Sequence, residues 1–183
     1  GLESQTTEPL CLVTITELSA QRIAERSRTT AVTLCAGRAV DALNDAPWLL
    51  GGAKTLSYAV NLAYAREAAR RGVQDAILVS TDGYVLEGPK SGIIVLRAGT
   101  LLSTPPQTTG ILESITVRLA LDGWERSGGR SAYELFTPED LRTADAVWLA
   151  SSVRGITPVV TLNGEELPRN PEITAQLVNL VRP

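Results

Sequence analysis

The chain has 183 residues, 44% hydrophobic and 20% charged, with a formal net charge of −3; that is enough apolar material for one buried core, and the acidic balance argues against a basic nucleic-acid footprint. It contains no histidine, which rules out Ser-His-Asp and Cys-His catalysis and histidine metal sites within it, and leaves acid–base work to Lys, Tyr, Asp or Glu. Cys11 and Cys35 form no Cys-x-x-Cys motif, no apolar run reaches the ~18 residues of a membrane span, and no leader pattern is visible, so a cytoplasmic protein acting on a small molecule, with no metal, is expected.

Residues 1–9 are polar. Residues 10–15 (LCLVTI) predict a strand, residues 17–28 a charged connection, and residues 30–35 (TAVTLC) another strand. Residues 36–53 collect Gly, Asp, Asn and Pro and end in Gly51-Gly52, a loop that delivers the chain to a helix start. Over residues 54–71, small and apolar side chains at Leu56, Ala59, Val60, Ala63, Ala65 and Ala69 have helical spacing, and Gly72 supplies the stop. Residues 75–80 (DAILVS) predict a strand, Thr81-Asp82-Gly83 a hairpin turn, and residues 84–87 the return; residues 92–96 and 100–102 continue the meander around Ala98-Gly99. Pro105-Pro106 breaks the sheet, and a helix is expected over residues 111–124. Thr137, followed by Pro138, Glu139 and Asp140, has the chemistry of a capped helix start. Residues 146–150 predict a strand running into Ser151-Ser152, residues 158–162 a strand before the Asn163-Gly164 turn, and residues 172–181 a final helix.

Singly, the chemical residues have ordinary explanations. A lysine at a helix entrance is usually solvated, an acid after a strand usually sits on a rim, and a serine pair is usually a loop. Their order says more. Lys54-Thr55-Leu56-Ser57-Tyr58 leads an Ala-rich helix; Asp75-Ala76-Ile77-Leu78 and Asp82-Gly83-Tyr84-Val85-Leu86-Glu87-Gly88 make a hairpin closing on a glutamate. Thr104-Pro105-Pro106 leads through Gly110-Ile111-Leu112-Glu113-Ser114-Ile115-Thr116, and Ala144-Asp145 leads through Ser151-Ser152 to Pro158-Val159. In this order the four blocks resemble the class IV (fold-type IV) pyridoxal-phosphate family, which holds branched-chain aminotransferases, D-amino-acid aminotransferases and aminodeoxychorismate lyases.

The resemblance implies an α+β fold: a D-amino-acid-aminotransferase-like C-terminal domain, a mixed-sheet pseudo-barrel with surrounding helices. Residues 29–183 would form this cofactor domain, and residues 1–28 the last strand and linker of an N-terminal domain that is mostly missing. Absence of methionine and a start at Gly1 fit a piece of a longer polypeptide. The implied cofactor is pyridoxal 5′-phosphate (PLP), held covalently by Lys54, since a lysine desolvated in a pocket becomes nucleophilic enough to condense with an aldehyde. Glu87 would keep the pyridine nitrogen protonated. Ile115 and Thr116 would meet the phosphate at a helix N-terminus, Leu112 would lie on the ring face, and Ser151 and Ser152 would add hydroxyls on the phosphate side. Tyr58 and Arg154 are candidate substrate residues. A homodimer is implied.

Two positions depart from the family pattern: Gly92 stands where an asparagine is usual, and Ser114 where a glycine is usual. Ser152-Val153-Arg154-Gly155-Ile156 resembles the lyases' version of the last loop, so the expected reaction is release of pyruvate and 4-aminobenzoate from 4-amino-4-deoxychorismate, on the route to folate. The alternatives are a branched-chain or D-amino-acid aminotransferase or, outside catalysis, an incomplete fragment or binding module.

Overall fold

Strands β1 (Thr29–Cys35), β2 (Asp75–Val79), β3 (Gly92–Arg97), β4 (Thr100–Ser103), β5 (Arg130–Tyr133), β6 (Ala146–Ser151), β7 (Gly155–Leu162) and β8 (Glu165–Glu166) build one sheet in a computed structural model that describes residues 11–44 and 46–182. Its order is β2-β1-β7-β6-β3-β4-β5, with β8 paired to β7. The sheet is mixed: β1 runs parallel to both β2 and β7, β4 runs parallel to β5, and the remaining pairs are antiparallel.

Helices α1 (Ala20–Ala24), α2 (Ala59–Arg70), α3 (Pro106–Thr109), α4 (Ile115–Arg126), α5 (Pro138–Thr143) and α6 (Pro171–Leu180) complete the fold. The central strands are apolar throughout because both of their faces are covered. In β3, Ile93 and Val95 join one core cluster while Ile94 and Leu96 join another; in β6, Val147 and Leu149 separate in the same way from Trp148 and Ala150. The first cluster also gathers Ala31 of β1, Ile77 of β2, Leu102 of β4 and Val159 of β7. The sheet curls around this cluster as a half-barrel. The second cluster takes in Val117 and Leu121 of α4 and Leu177 of α6, and Trp148 Nε1 donates to Thr174 Oγ1 at 2.9 Å, pinning α6 to β6. A third, with Leu34, Ala68, Leu78, Leu86 and Ile111, lies under α2.

The α+β fold with a mixed sheet and outer helices agrees with the sequence reading, as do most strands and both left-handed turns, Ala98-Gly99 and Asn163-Gly164. The Thr137–Asp140 capping box forms as expected. Four local readings are corrected. Leu10 lies outside the described residues, and residues 11–15 form no strand: Leu12, Val13 and Ile15 are exposed, and among the described residues no neighbouring strand satisfies their backbone. Helix α2 starts at Ala59 rather than Lys54, because the segment before it is held in turns, with Ala53 N donating to Leu50 O and Tyr58 N to Leu56 O. Helix α4 starts at Ile115 rather than residue 111, since Ser114 is its N-cap. Strand β7 begins at Gly155, ahead of Pro158. Strand β5 and the short α3 have no counterpart in the sequence reading. Among the described residues no helix is long and apolar enough to cross a membrane.

Candidate active site

Parallel pairing of β1 and β2, with Cys35 opposite Val79, brings the two C-terminal strand ends together. Beyond β1 the chain runs to Arg38. Beyond β2 it turns at Gly83 (φ 93°) and comes back along β2, with Leu86 N donating to Leu78 O and Leu78 N to Glu87 O, each at 2.8 Å. This return leg carries Glu87 to a cleft wall with its carboxyl mostly buried. Burial pushes the carboxyl up to about 7, against the opposing pull of the Leu112 backbone hydrogen bond and the charges of Arg38 and Lys54. Arg38 is itself pushed down by burial. Its Nη1 donates to Thr109 O at 2.9 Å and to Ala39 O at 3.3 Å, fixing the cation near the acid.

The opposite wall is the loop ahead of α2. Gly52 (φ 74°) donates its N–H to Gly110 O at 2.8 Å, tying this loop to the one before α4. Gly51 and Gly110 both lie against Leu43, at distances where a Cβ would stand 2.9 Å and 2.7 Å from that side chain's Cβ. The packing holds Lys54 over the cleft, exposed, with Nζ donating to Tyr58 Oη at 3.0 Å.

The third wall is the start of α4. Ser114 Oγ accepts from Val117 N at 3.3 Å, while the N–H groups of Ile115 and Thr116 have no intrahelical acceptor. Gly92 of β3 packs under this turn: a Cβ there would stand 2.6 Å from Val117 Cγ2 and 3.1 Å from Ser114 Cβ. The two departures from the family pattern are therefore neighbours. The absent side chain at Gly92 makes the room that Ser114 and Val117 occupy. Ser151 and Ser152, at the end of β6, close the fourth side.

The walls enclose a cleft of about 620 Å³. It brings together Lys54, Tyr58, Glu87, Leu112, Ile115, Ser151 and Ser152. Thr116 is buried behind that surface, and the Arg154 guanidinium pairs with the Asp75 carboxylate in an adjoining cleft. Sequence reasoning missed Arg38, a lone arginine three residues past a strand end, and Ser91. The Ser91 hydroxyl is buried on the cleft wall without a hydrogen-bond partner among the described residues. A buried hydroxyl without a partner is rare and points to a group that completes it.

Residues 1–162 match the family described as amino-transferase class IV. A bifunctional aminodeoxychorismate lyase / D-amino acid transaminase of Mycobacterium tuberculosis is 39% identical over 180 residues, covering 93% of this chain and 62% of the relative. Among solved structures, the PLP-bound form of a hypothetical aminotransferase from M. tuberculosis superposes with a TM-score of 0.86 at 40% identity, over 91% of this chain and 60% of that one. A fold IV transaminase from Curtobacterium pusillum gives 0.82 at 42% identity, over 88% and 56%. This chain thus spans about three-fifths of the length of the relatives it resembles.

Proposed function

The chain belongs to the class IV amino-transferase family, and on that premise we propose that it is the PLP-binding part of an enzyme that releases pyruvate from 4-amino-4-deoxychorismate. The observation that carries the reading is the convergence of Lys54, Glu87 and the α4 N-terminus on one cleft. The donor set fits the cofactor. An amine faces a site for an aldehyde, a mostly buried carboxyl faces a site for a ring nitrogen, and free helix amides with two serines face a site for a phosphate. The unpartnered Ser91 hydroxyl supports the same assignment.

When bound, PLP supplies an electron sink for the pair released as a bond breaks at the amine-bearing carbon. Lys54 holds the cofactor through Nζ. The same Nζ, steadied by Tyr58 Oη, would take the proton from the amine-bearing ring carbon of the substrate. Loss of the enolpyruvyl group then leaves an aromatic ring, and Lys54 returns a proton to the departing pyruvate. Glu87 accepts the ring-nitrogen proton in a hydrogen bond and keeps it there, Leu112 packs on the ring face, and Ile115, Thr116, Ser151 and Ser152 bind the phosphate. The neighbourhood of Arg38 favours the ionised form of Glu87 that this task needs.

D-amino-acid transamination is the second reading, and one observation favours it. Arg154, the residue that suggests a lyase, pairs with Asp75 in the adjoining cleft rather than lining the cleft that holds Lys54 and Glu87. The curated relative carries both activities in its name. The test mixes the protein with PLP and aminodeoxychorismate, without any 2-oxo acid, and separately with D-alanine plus 2-oxoglutarate. Pyruvate in the first mixture supports the lyase; glutamate in the second with no pyruvate in the first assigns a transaminase. Lys54→Ala should remove the yellow colour and at least ~1,000-fold of either activity, a loss on the order expected for deleting a covalent catalyst. Unchanged colour and rate would remove Lys54 from its role.

A further inference from the structure

A second cleft, of about 690 Å³, adjoins the first, and the two share a wall made by Lys54, Tyr58, Pro89, Lys90, Ser151 and Ser152. The cations on these walls differ in what they are free to do. Arg38 is committed to two carbonyls, Arg154 to Asp75, and Lys54 to Tyr58. Lys90 is exposed on the shared wall and has no ion pair or hydrogen bond among the described residues.

Its backbone, by contrast, is held firmly. Gly88 N donates to Ser91 O at 2.8 Å, closing the turn around Pro89 and Lys90, and Asn61 Nδ2 of α2 donates to Pro89 O at 2.7 Å. The turn presents, on the wall it shares with Lys54, an ammonium without a partner among the described residues. Ile115 and Leu112 border only the first cleft, whereas Lys90 borders both. An anion met by Lys90 can therefore lie on the second-cleft side of Lys54, away from the α4 N-terminus.

We propose that Lys90 is a specificity-determining residue that takes a carboxylate of the substrate remote from the reacting amine, so that the site favours dicarboxylates over monocarboxylates. This rests on the reading above, in which the substrate's amine is handled at Lys54. Aminodeoxychorismate and 2-oxoglutarate each carry two carboxylates, and D-alanine carries one. A lysine ammonium suits the task as a mobile point charge that can follow acids of different length.

The test measures binding, independently of turnover. Glutarate and pentanoate, acids with the same number of carbons and one carboxylate fewer in the second, are titrated calorimetrically into the PLP-loaded protein, its Lys90→Ala variant and its Lys90→Arg variant. Wild type should bind glutarate about 10-fold more tightly than Lys90→Ala does, the scale of one charge-assisted contact at a solvated wall. Pentanoate affinity and PLP affinity should stay within about twofold, Lys90→Arg should restore glutarate binding, and the glutarate advantage should shrink at high salt. Equal losses for both acids, no preference for glutarate in wild type, or a loss confined to PLP affinity would overturn the proposal; the last outcome would give Lys90 to the cofactor's phosphate. Failure of the lyase and transaminase assays, by contrast, would show as absent turnover with the glutarate preference intact.

Discussion

Glu87 gains its proton affinity from burial. In the folded chain it holds its proton up to about pH 7, against an ordinary value of 4.5. The folded state therefore binds the extra proton between those values, and stability falls as pH rises through them, by roughly 3 kcal/mol once the carboxylate is fully ionised. Glutamine copies the shape of the neutral acid and never ionises. Cofactor-free Glu87→Gln should match the parent in urea midpoint near pH 4 and exceed it near pH 8.5, while the same substitution loses most activity with PLP bound. Parallel pH profiles for the two proteins would mean that Glu87 is solvated and titrates normally. The hairpin block, by its resemblance to the family's, is enough to single out Glu87 in the sequence. Arg38 is not legible there, because it comes near Glu87 through non-local contacts, the parallel pairing of β1 with β2 and the bond from Thr81 N to Arg38 O, which leave no local signature. Ser91 is visible as a letter, but its unpartnered burial depends on the turn that closes over it.

Elements whose signals are local are legible in the sequence: β2, β3 and β6 as apolar runs, α5 by its capping box, and the Ala98-Gly99 and Asn163-Gly164 turns by their residue types. Starts set by tertiary contacts are not. Leu56 carries the helical spacing back toward Lys54, yet its side chain is fully exposed and the helix begins at Ala59. The bond from Gly52 N to Gly110 O ties the lysine loop across the cleft and keeps it from winding. Likewise β5 (RSAY) has little strand character of its own and is a strand because α4 returns it parallel to β4. The α4 start packs on Gly92, where an added Cβ would stand only 2.6 Å from Val117 Cγ2. Gly92→Ala should destabilise the chain by about 1–3 kcal/mol through overpacking and weaken PLP by lifting the α4 amides. Val117→Ala should also destabilise, by emptying a buried site, but the two changes together should cost clearly less than their sum because each supplies what the other lacks. Additive effects in denaturant titrations would show that the methyl is accommodated without touching Val117.

Across the whole molecule, the cleft is assembled from segments that the chain visits far apart: Arg38 beyond β1, Lys54 ahead of α2, Glu87 on the return from β2, Ile115 at the start of α4, and Ser151 and Ser152 at the end of β6. Strands β2 and β3, which flank the Glu87 turn, stand four places apart in the sheet order, on either side of β1, β7 and β6. A ligand bound to all these groups is thus a cross-link between the β1/β2 side and the β3/β6 side, in addition to any contact it makes locally. By mass action, PLP at about a thousand times its dissociation constant should stabilise the fold by about 4 kcal/mol. For a chain of this size that is a rise in melting temperature of roughly 10 °C. The cross-link makes a sharper statement than the melting temperature alone. On adding PLP, amide exchange should slow together in residues 51–58, 87–92, 110–116 and 151–155, because opening any one wall must break the ligand's hold on the rest. On the proposed reading Lys54→Ala should remove the covalent hold but keep the phosphate contacts, so protection should persist near residues 110–116 and be lost in residues 51–58. A cofactor that merely condenses with an exposed lysine would slow exchange in residues 51–58 alone and leave the melting temperature nearly unchanged, and that result would dissolve the four-walled site into a surface adduct.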